Sequence, residues 1–157
     1  MALLALASSA GLEVTAIHVD HGIRPDSSKE ADTVSAAAER FGAQFESRSV
    51  SVDVGPNLEE RARQARYSIL PEKVLTGHTA DDQAETILLA LLRGSAWQGM
   101  GGIEPTTSRP ILQLRRSETE ELCSSLGITT VSDPSNNDPQ FRRNRIRHEL
   151  LPLLCDI

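Results

Sequence analysis

The stretch TGHTADDQAETILLALLRG (76–94) decides how this sequence is read. The lead-in KVLTGH (73–78) is apolar and β-branched, which predicts a strand ending at Gly77 and His78. From Ala80 to Arg93 the apolar residues recur at helical spacing. Ala84, Ile87, Leu88, Leu91 and Leu92 form one stripe expected to be buried, and Gly94 supplies the stop. Asp82 and Glu85 fall about 60° apart on one flank of that stripe, because each residue turns a helix by roughly 100°. Two acids near a helix start, Asp81 and Asp82, already complement the helix dipole, which is reason enough for them. Their position allows a sharper reading. They sit at the carboxyl end of a strand, beside His78, where parallel sheets bind ligands. A carboxylate there faces a bound nucleotide through Mg²⁺, which takes one or two carboxylates plus phosphate oxygens.

The pattern extends in both directions. Ala2–Ser8 reads as the tail of a helix, LEVTAIHV (12–19) as a strand, SSKEADTVSAAAERFG (27–42) as a helix with a Ser start and a Gly stop. AQFESRSV (43–50) predicts a second strand and residues 56–70 a strongly helical segment. Strands alternating with helices imply an α/β fold, a parallel sheet with helices on both faces. Beyond Gly94 the Gly- and Pro-punctuated run GSAWQGMGGIEPTTSRP has no sustained period and reads as a loop. A short RPILQL strand or extended piece follows, then a helix over 117–126, the turn-rich SDPSNNDP, and a last helix over 142–154.

The bulk numbers bound the function. A chain of 157 residues is one domain's worth. Aromatics at 3% exclude base-stacking platforms such as RRM or OB modules. A net charge of −6 argues against wrapping a long duplex. Yet Arg142, Arg143, Arg145 and Arg147 cluster beside His148, which suits a compact anionic ligand. The two cysteines, Cys123 and Cys155, are in no metal or redox spacing and point to a reducing cytoplasm without disulfides. Met1–Gly11 is apolar and ends in small residues, but it lacks a basic leader and runs straight into a strand, so it reads as part of the domain. No stretch approaches a membrane span.

Three further constellations carry chemistry in one reading and ordinary structure in the other. In AIHVDHGIRPDSS (16–28), His18 and His21 lie together at a strand end, Gly22 permits a tight exit, and Arg24 favours an anion-facing role. The bland alternative is a strand end and its turn. In NLEERARQARYSIL (57–70), Arg63, Arg66 and Tyr67 share a helix face, which by itself is an ordinary solvated surface. In SDPSNNDPQFRRNRIRHELLP (132–152), Arg143 and Arg147 are i, i+4 neighbours able to grip phosphate, or else a solvated helix end.

Taken together and in order, HVDHGIR, LEERARQARY, GHTADDQAET with LLRG, RPIL, and SDPSN followed by RRNRIRHELLP resemble the tRNA(Ile)-lysidine synthetases of the PP-loop ATP pyrophosphatase family. The resemblance spans nearly the whole chain. It implies an adenine nucleotide alpha hydrolase-like fold, with residues 1–132 as a PP-loop nucleotide-binding domain and 133–157 as its C-terminal helical segment. It also implies an ATP- and Mg²⁺-dependent ligase that works in the cytoplasm and admits a homodimer. In that activity AMP goes to the C2 oxygen of the wobble cytidine of a tRNA(Ile) with a CAU anticodon, and free L-lysine then displaces it to leave lysidine. By motif, Asp82 would hold Mg²⁺ and ATP, Glu85 would meet the lysine or cytidine end, and His78 and Arg143 would stabilise the adenylate. Val19, His21 and Arg24 would serve the nucleotide, and Arg63, Arg66 and Arg147 the substrate side. The family's SGGxDS phosphate loop precedes its first helix, whereas this sequence opens at MALLALA. The expectation is therefore a chain without the first strand and loop, inactive as it stands. The rival readings are a tRNA-thiolating or other PP-loop pyrophosphatase, for which neither cysteine is suitably set, and a non-catalytic nucleotide-binding piece.

Overall fold

The computed structural model describes residues 1–20, 27–51, 58–95, 101–131 and 134–157, with residues 27–29, 58–60 and 134–135 described by backbone alone. The described chain forms two compact units, one made of Met1–Val74 with Leu122–Val131, the other of Leu75–Glu121 with Ser132–Ile157.

In the first unit, α1 (Ala2–Ser9) leads to β1 (Thr15–Asp20), α2 (Ser27–Arg40), β2 (Gln44–Ser49) and α3 (Leu58–Ile69). β1 and β2 pair in parallel, in register from Thr15 opposite Gln44 to Asp20 opposite Ser49, and α2 packs on both strands. This is the β-α-β order that the alternating sequence predicts. The core is built from small side chains, Ala2, Ala5 and Ala7 of α1 with Leu4, and Ala37 and Ala38 of α2. Gly42 ends α2 with φ at +66°, a conformation that needs no Cβ, and Ala43 then donates back to the Ala38 carbonyl at 2.8 Å. The guanidinium of Arg40 caps another helix of the same unit, donating to the carbonyls of Leu126 and Gly127.

Two segments expected as strands are not in the sheet. Residues 73–78 alternate between exposed and half-buried, as an extended chain does, but they join no ladder. A strand needs a neighbour offering a row of matching groups, and the Thr76 N–H goes instead to the carbonyl of Ser108 at 2.8 Å. That carbonyl belongs to a turn. The RPILQL piece is itself coiled into successive turns, Leu112 donating to Arg109 and Leu114 to Ile111. Pro110 removes a donor that a ladder would have used.

The second unit holds α4 (Ala80–Leu92), the first part of α5 (Arg116–Ser125), and a continuous helical run made of α6 (Arg142–Arg145), a wider π-type turn over Ile146–Leu150, and α7 (Leu151–Asp156). The widening precedes Pro152, which has no N–H for the carbonyl four residues back. Ile103, Ile111 and Ile146 are buried in this unit. The expected burial of the α4 stripe is not met: Ala84, Ile87 and Leu88 are half-buried, and Leu91 and Leu92 are exposed. Periodicity identifies side chains that share a face; it does not say how far along the helix the covering elements reach. α6 and the π-type turn pack against α4, and the residue they bury completely is Glu85.

Part of the Gly-rich loop is tied to α4. Gln83 Oε1 accepts the Ile103 N–H at 2.5 Å, and a Cβ on Gly102, whose φ is +65°, would stand 2.8 Å from that oxygen. Gly102→Ala is expected to destabilise the chain by about 1–2 kcal/mol. Urea denaturation giving an unchanged midpoint and slope would contradict it. Among the described residues no helix is long and apolar enough to cross a membrane.

Candidate active site

The site grows from the first two turns of α4. Thr79 is the N-cap, and Asp82, three residues on, turns back to it: Asp82 Oδ2 accepts the Thr79 N–H at 2.8 Å and the Thr79 hydroxyl at 2.9 Å. This T-x-x-D pairing satisfies backbone donors that a helix start leaves open. Half of the Asp82 carboxylate is therefore structural. Its other oxygen, Oδ1, has only long contacts, 3.4 Å each, to Arg116 and Arg143.

One turn later lies Glu85, which is 0% exposed and yet charged. Burying a lone carboxylate is prohibitive, so it must be paired. Three arginines converge on it. Arg147 donates from Nε at 2.7 Å and from Nη2 at 3.1 Å, and Arg143 donates from Nε at 2.6 Å. Arg116 adds longer bonds to Oε1, 3.3 Å from Nη1 and 3.2 Å from Nη2. Arg143 and Arg147 point the same way because they are i, i+4 on one helical run. The same period turns Arg145 outward, where it makes an exposed 3.0 Å pair with Glu149. The basic cluster read from the sequence is thus sorted into an inward pair and a solvated remainder. Asn144 fixes the run's start, donating from its buried side chain to the Asp138 carbonyl at 2.9 Å.

Burial pushes the Glu85 carboxyl up, but hydrogen bonds and charge from Arg147 and Arg143 outweigh it and hold the group below the usual carboxylate range. A folded-state value below the unfolded one means stability that is present at neutral pH and lost as pH falls through the folded value. In thermal melts, the deficit of Glu85→Gln relative to the unaltered chain is expected to shrink once pH drops below about 4, near the carboxylate's unfolded value. A deficit that stayed constant from pH 7 to 3 would show that the charge is not what matters.

The candidate residues from the sequence fare differently. Asp82, Glu85, Arg143 and Arg147 are brought together, although Glu85 and Arg147 are 62 residues apart. His78 lies in the same unit, its Nδ1 2.8 Å from the Thr76 hydroxyl. Val19, Arg63 and Arg66 belong to the first unit. Val19 is paired opposite Arg48 in the sheet, and the guanidinium carbons of Arg63 and Arg66 lie 5.3 and 5.7 Å from the Tyr67 ring centroid. His21 and Arg24 lie outside the described residues. The sequence reading missed Arg116. A signal existed, because a cation at the first position of a helix opposes the dipole and needs a specific partner. The partners are Glu85, Asp82 and, for the Arg116 backbone N–H, Asp81 Oδ2 at 2.7 Å.

A divalent cation requires oxygens not already committed. Both oxygens of Glu85 are taken by arginines, so it does not fit as a ligand; Asp82 Oδ1, held only at 3.4 Å in a side chain 17% exposed, does. Among the described residues no group of three or more His, Cys, Asp or Glu side chains could hold a metal ion. Magnesium here would rest on Asp82 and on phosphate oxygens brought by a nucleotide.

The PP-loop domain profile matches residues 1–154. Similar curated proteins include tRNA(Ile)-lysidine synthase of Rhodococcus erythropolis, 45% identical over 166 residues that cover 100% of this chain and 51% of that protein. The Nocardia farcinica tRNA(Ile)-lysidine synthase is 43% identical, covering 100% of the chain and 52% of that protein. The Mycobacterium tuberculosis protein of the same name is 45% identical over 152 residues, 91% of this chain and 47% of its own length. The chain spans about half the length of the curated relatives it matches.

Proposed function

Because this chain belongs to the PP-loop domain family, we propose that it carries the catalytic cluster of an ATP-dependent ligase converting the wobble cytidine of a tRNA(Ile) to lysidine. The observation that carries this reading is the convergence of Asp82, Glu85, Arg143 and Arg147, drawn from distant segments, on one half-open site beside a helix start. The name shared by the similar proteins supports the same substrate class.

The chemistry has two displacements. The cytidine C2 oxygen attacks the α-phosphorus of ATP, and the bond to the bridging oxygen breaks to release pyrophosphate. The lysine ε-amine then attacks C2; the C2–oxygen bond breaks, AMP departs with that oxygen, and the amine loses its proton. Adenylation matters because it turns a poor leaving oxygen into a good one. Mg²⁺ bound through Asp82 would supply charge neutralisation for the departing pyrophosphate.

The chain's own residues then have distinct duties. Arg143, 32% exposed, offers a planar guanidinium to phosphate charge that develops during transfer. Arg147 secures Glu85 through both of its oxygens. Glu85, buried and bonded through both oxygens, keeps the arginines in line. His78 is proposed to face the adenylate. Val19, His21 and Arg24 are proposed for the nucleotide and Arg63 and Arg66 for the substrate. The reaction is proposed for the cytoplasm.

The test uses the full-length protein with α-labelled ATP and a tRNA(Ile) transcript bearing a CAU anticodon. Label should appear on the tRNA when lysine is omitted and leave as AMP when lysine is added. Release of pyrophosphate without labelled tRNA, or release of AMP indifferent to lysine, would sink the assignment. A thiolating enzyme, given no sulfur donor, would keep the label on the tRNA whether or not lysine is added.

A further inference from the structure

Arg116 differs from the other two arginines in how it is held. Arg143 and Arg147 reach Glu85 as side chains projecting from one helical run, whereas Arg116 is tied to α4 through its backbone as well. Its N–H donates to Asp81 Oδ2 at 2.7 Å, and the Leu114 carbonyl just before it takes the Ala80 N–H at 2.8 Å. The start of α5 is therefore stapled to the start of α4 by two bonds, both made by the chain leading into Arg116. The cap of α5 adds rigidity, because Glu118 accepts the Arg115 N–H at 2.6 Å.

From that anchored position Arg116 Nη2 touches both carboxylates of α4, Asp82 Oδ1 at 3.4 Å and Glu85 Oε1 at 3.2 Å. Residues three apart on a helix are neighbours, and like charges there repel. A cation placed between them removes the repulsion and sets the spacing of the two groups. Arg143 also bridges the pair. Under the reading above, however, Arg143 turns to phosphate during catalysis and cannot serve both masters at full strength. Some cation must remain when it does.

We propose that Arg116 is a positioning residue: the resident counter-ion that keeps Asp82 and Glu85 aligned while Arg143 engages the phosphate. It touches neither nucleotide nor lysine and acts through the two carboxylates. This proposal rests on the ligase reading for its kinetic consequence, but its structural consequence is independent of which reaction is catalysed.

The test pairs both. In the full-length protein, Arg116→Gln should lower kcat for AMP transfer by about 10–100-fold, the usual effect of losing a group that orients a site. KM for ATP should stay within a few-fold. Arg116→Lys, which keeps the charge without the fork, should recover most of kcat. In the 157-residue chain itself, NMR of the arginine Nε–H groups reports on Arg143 and Arg147, both of which donate from Nε to Glu85. Arg116→Gln should speed their hydrogen exchange by about tenfold as Glu85 loses its third partner, and Arg116→Lys should largely restore protection. A raised KM with unchanged kcat would make Arg116 a direct nucleotide contact and overturn the proposal. Unchanged Nε–H exchange in Arg116→Gln would overturn it too. Altered exchange in a protein whose unaltered form transfers no AMP would refute the ligase reading and leave the positioning role standing. If the Gln variant does not fold, the Lys variant carries the test: kcat and Nε–H exchange close to those of the unaltered protein support the counter-ion role, and a raised KM for ATP with unchanged kcat overturns it.

Discussion

Replacing Glu85 with alanine is expected to be among the most destabilising single substitutions in this chain. The carboxylate is wholly buried and is the shared acceptor of Arg116, Arg143 and Arg147. Removing it leaves three guanidiniums without their common partner, and breaking a buried pair by deleting one member costs about 3–5 kcal/mol. The arginines are 20–32% exposed and can recover some hydration, so the lower end applies. For a chain of this size about 3 kcal/mol lowers Tm by roughly 6–12 °C. Glu85→Gln, which keeps shape and an acceptor but not charge, should fall between. Calorimetry or a thermal melt followed by circular dichroism checks both. A Glu85→Ala Tm within about 2 °C of the unaltered chain would mean that the arginines are satisfied elsewhere, and that the cluster does not hold α4 to the 142–150 run.

Asp82→Ala should do the reverse, with a small effect on the fold and a large one on chemistry. The side chain closes the helix start through Thr79, so its loss costs about 1 kcal/mol for the cap and the dipole together. Sequence reasoning counts only the dipole; the capping bonds of Asp82 Oδ2 to Thr79 add to it. In the proposed ligase, Asp82 Oδ1 is the carboxylate oxygen that can face Mg²⁺ and phosphate. AMP transfer by the full-length protein should then fall by at least about 10²–10³-fold, the scale at which losing one preorganised charge-stabilising group is felt. Asp82→Asn separates the two roles, because an amide oxygen can still accept the Thr79 N–H. It should restore the melting temperature and leave transfer crippled. Label transfer near the normal rate in Asp82→Asn would remove Asp82 from the metal role.

Much of the architecture was legible in the residues alone. The helices over 27–40, 58–69, 80–92 and 116–125 and the strands β1 and β2 sit within a few residues of where the hydrophobic period and the Ser, Thr and Gly punctuation put them. The reason is that propensity, capping and periodicity are local, acting over one or two turns of chain. The shared direction of Arg143 and Arg147 is of the same kind. So is the resemblance that identified the family, since its motifs are contiguous strings.

Other features were decided only by tertiary structure. Residues 73–78 have a strand's alternation, but pairing depends on what lies beside them, and there the Ser108 turn takes the Thr76 N–H. Leu91 and Leu92 share a face with the half-buried Ala84, Ile87 and Leu88 and are themselves exposed, because coverage depends on where α6 and the π-type turn lie. Most of all, nothing local distinguishes Glu85 from any other acid on a helix flank. Its partners stand 31, 58 and 62 residues away, and only the packed chain gathers them. A buried charge is tolerated where folding supplies counter-charges in three dimensions. That is why the sequence could nominate Glu85 and Arg143 by motif, while the role of Arg116 emerged only when the helices came together.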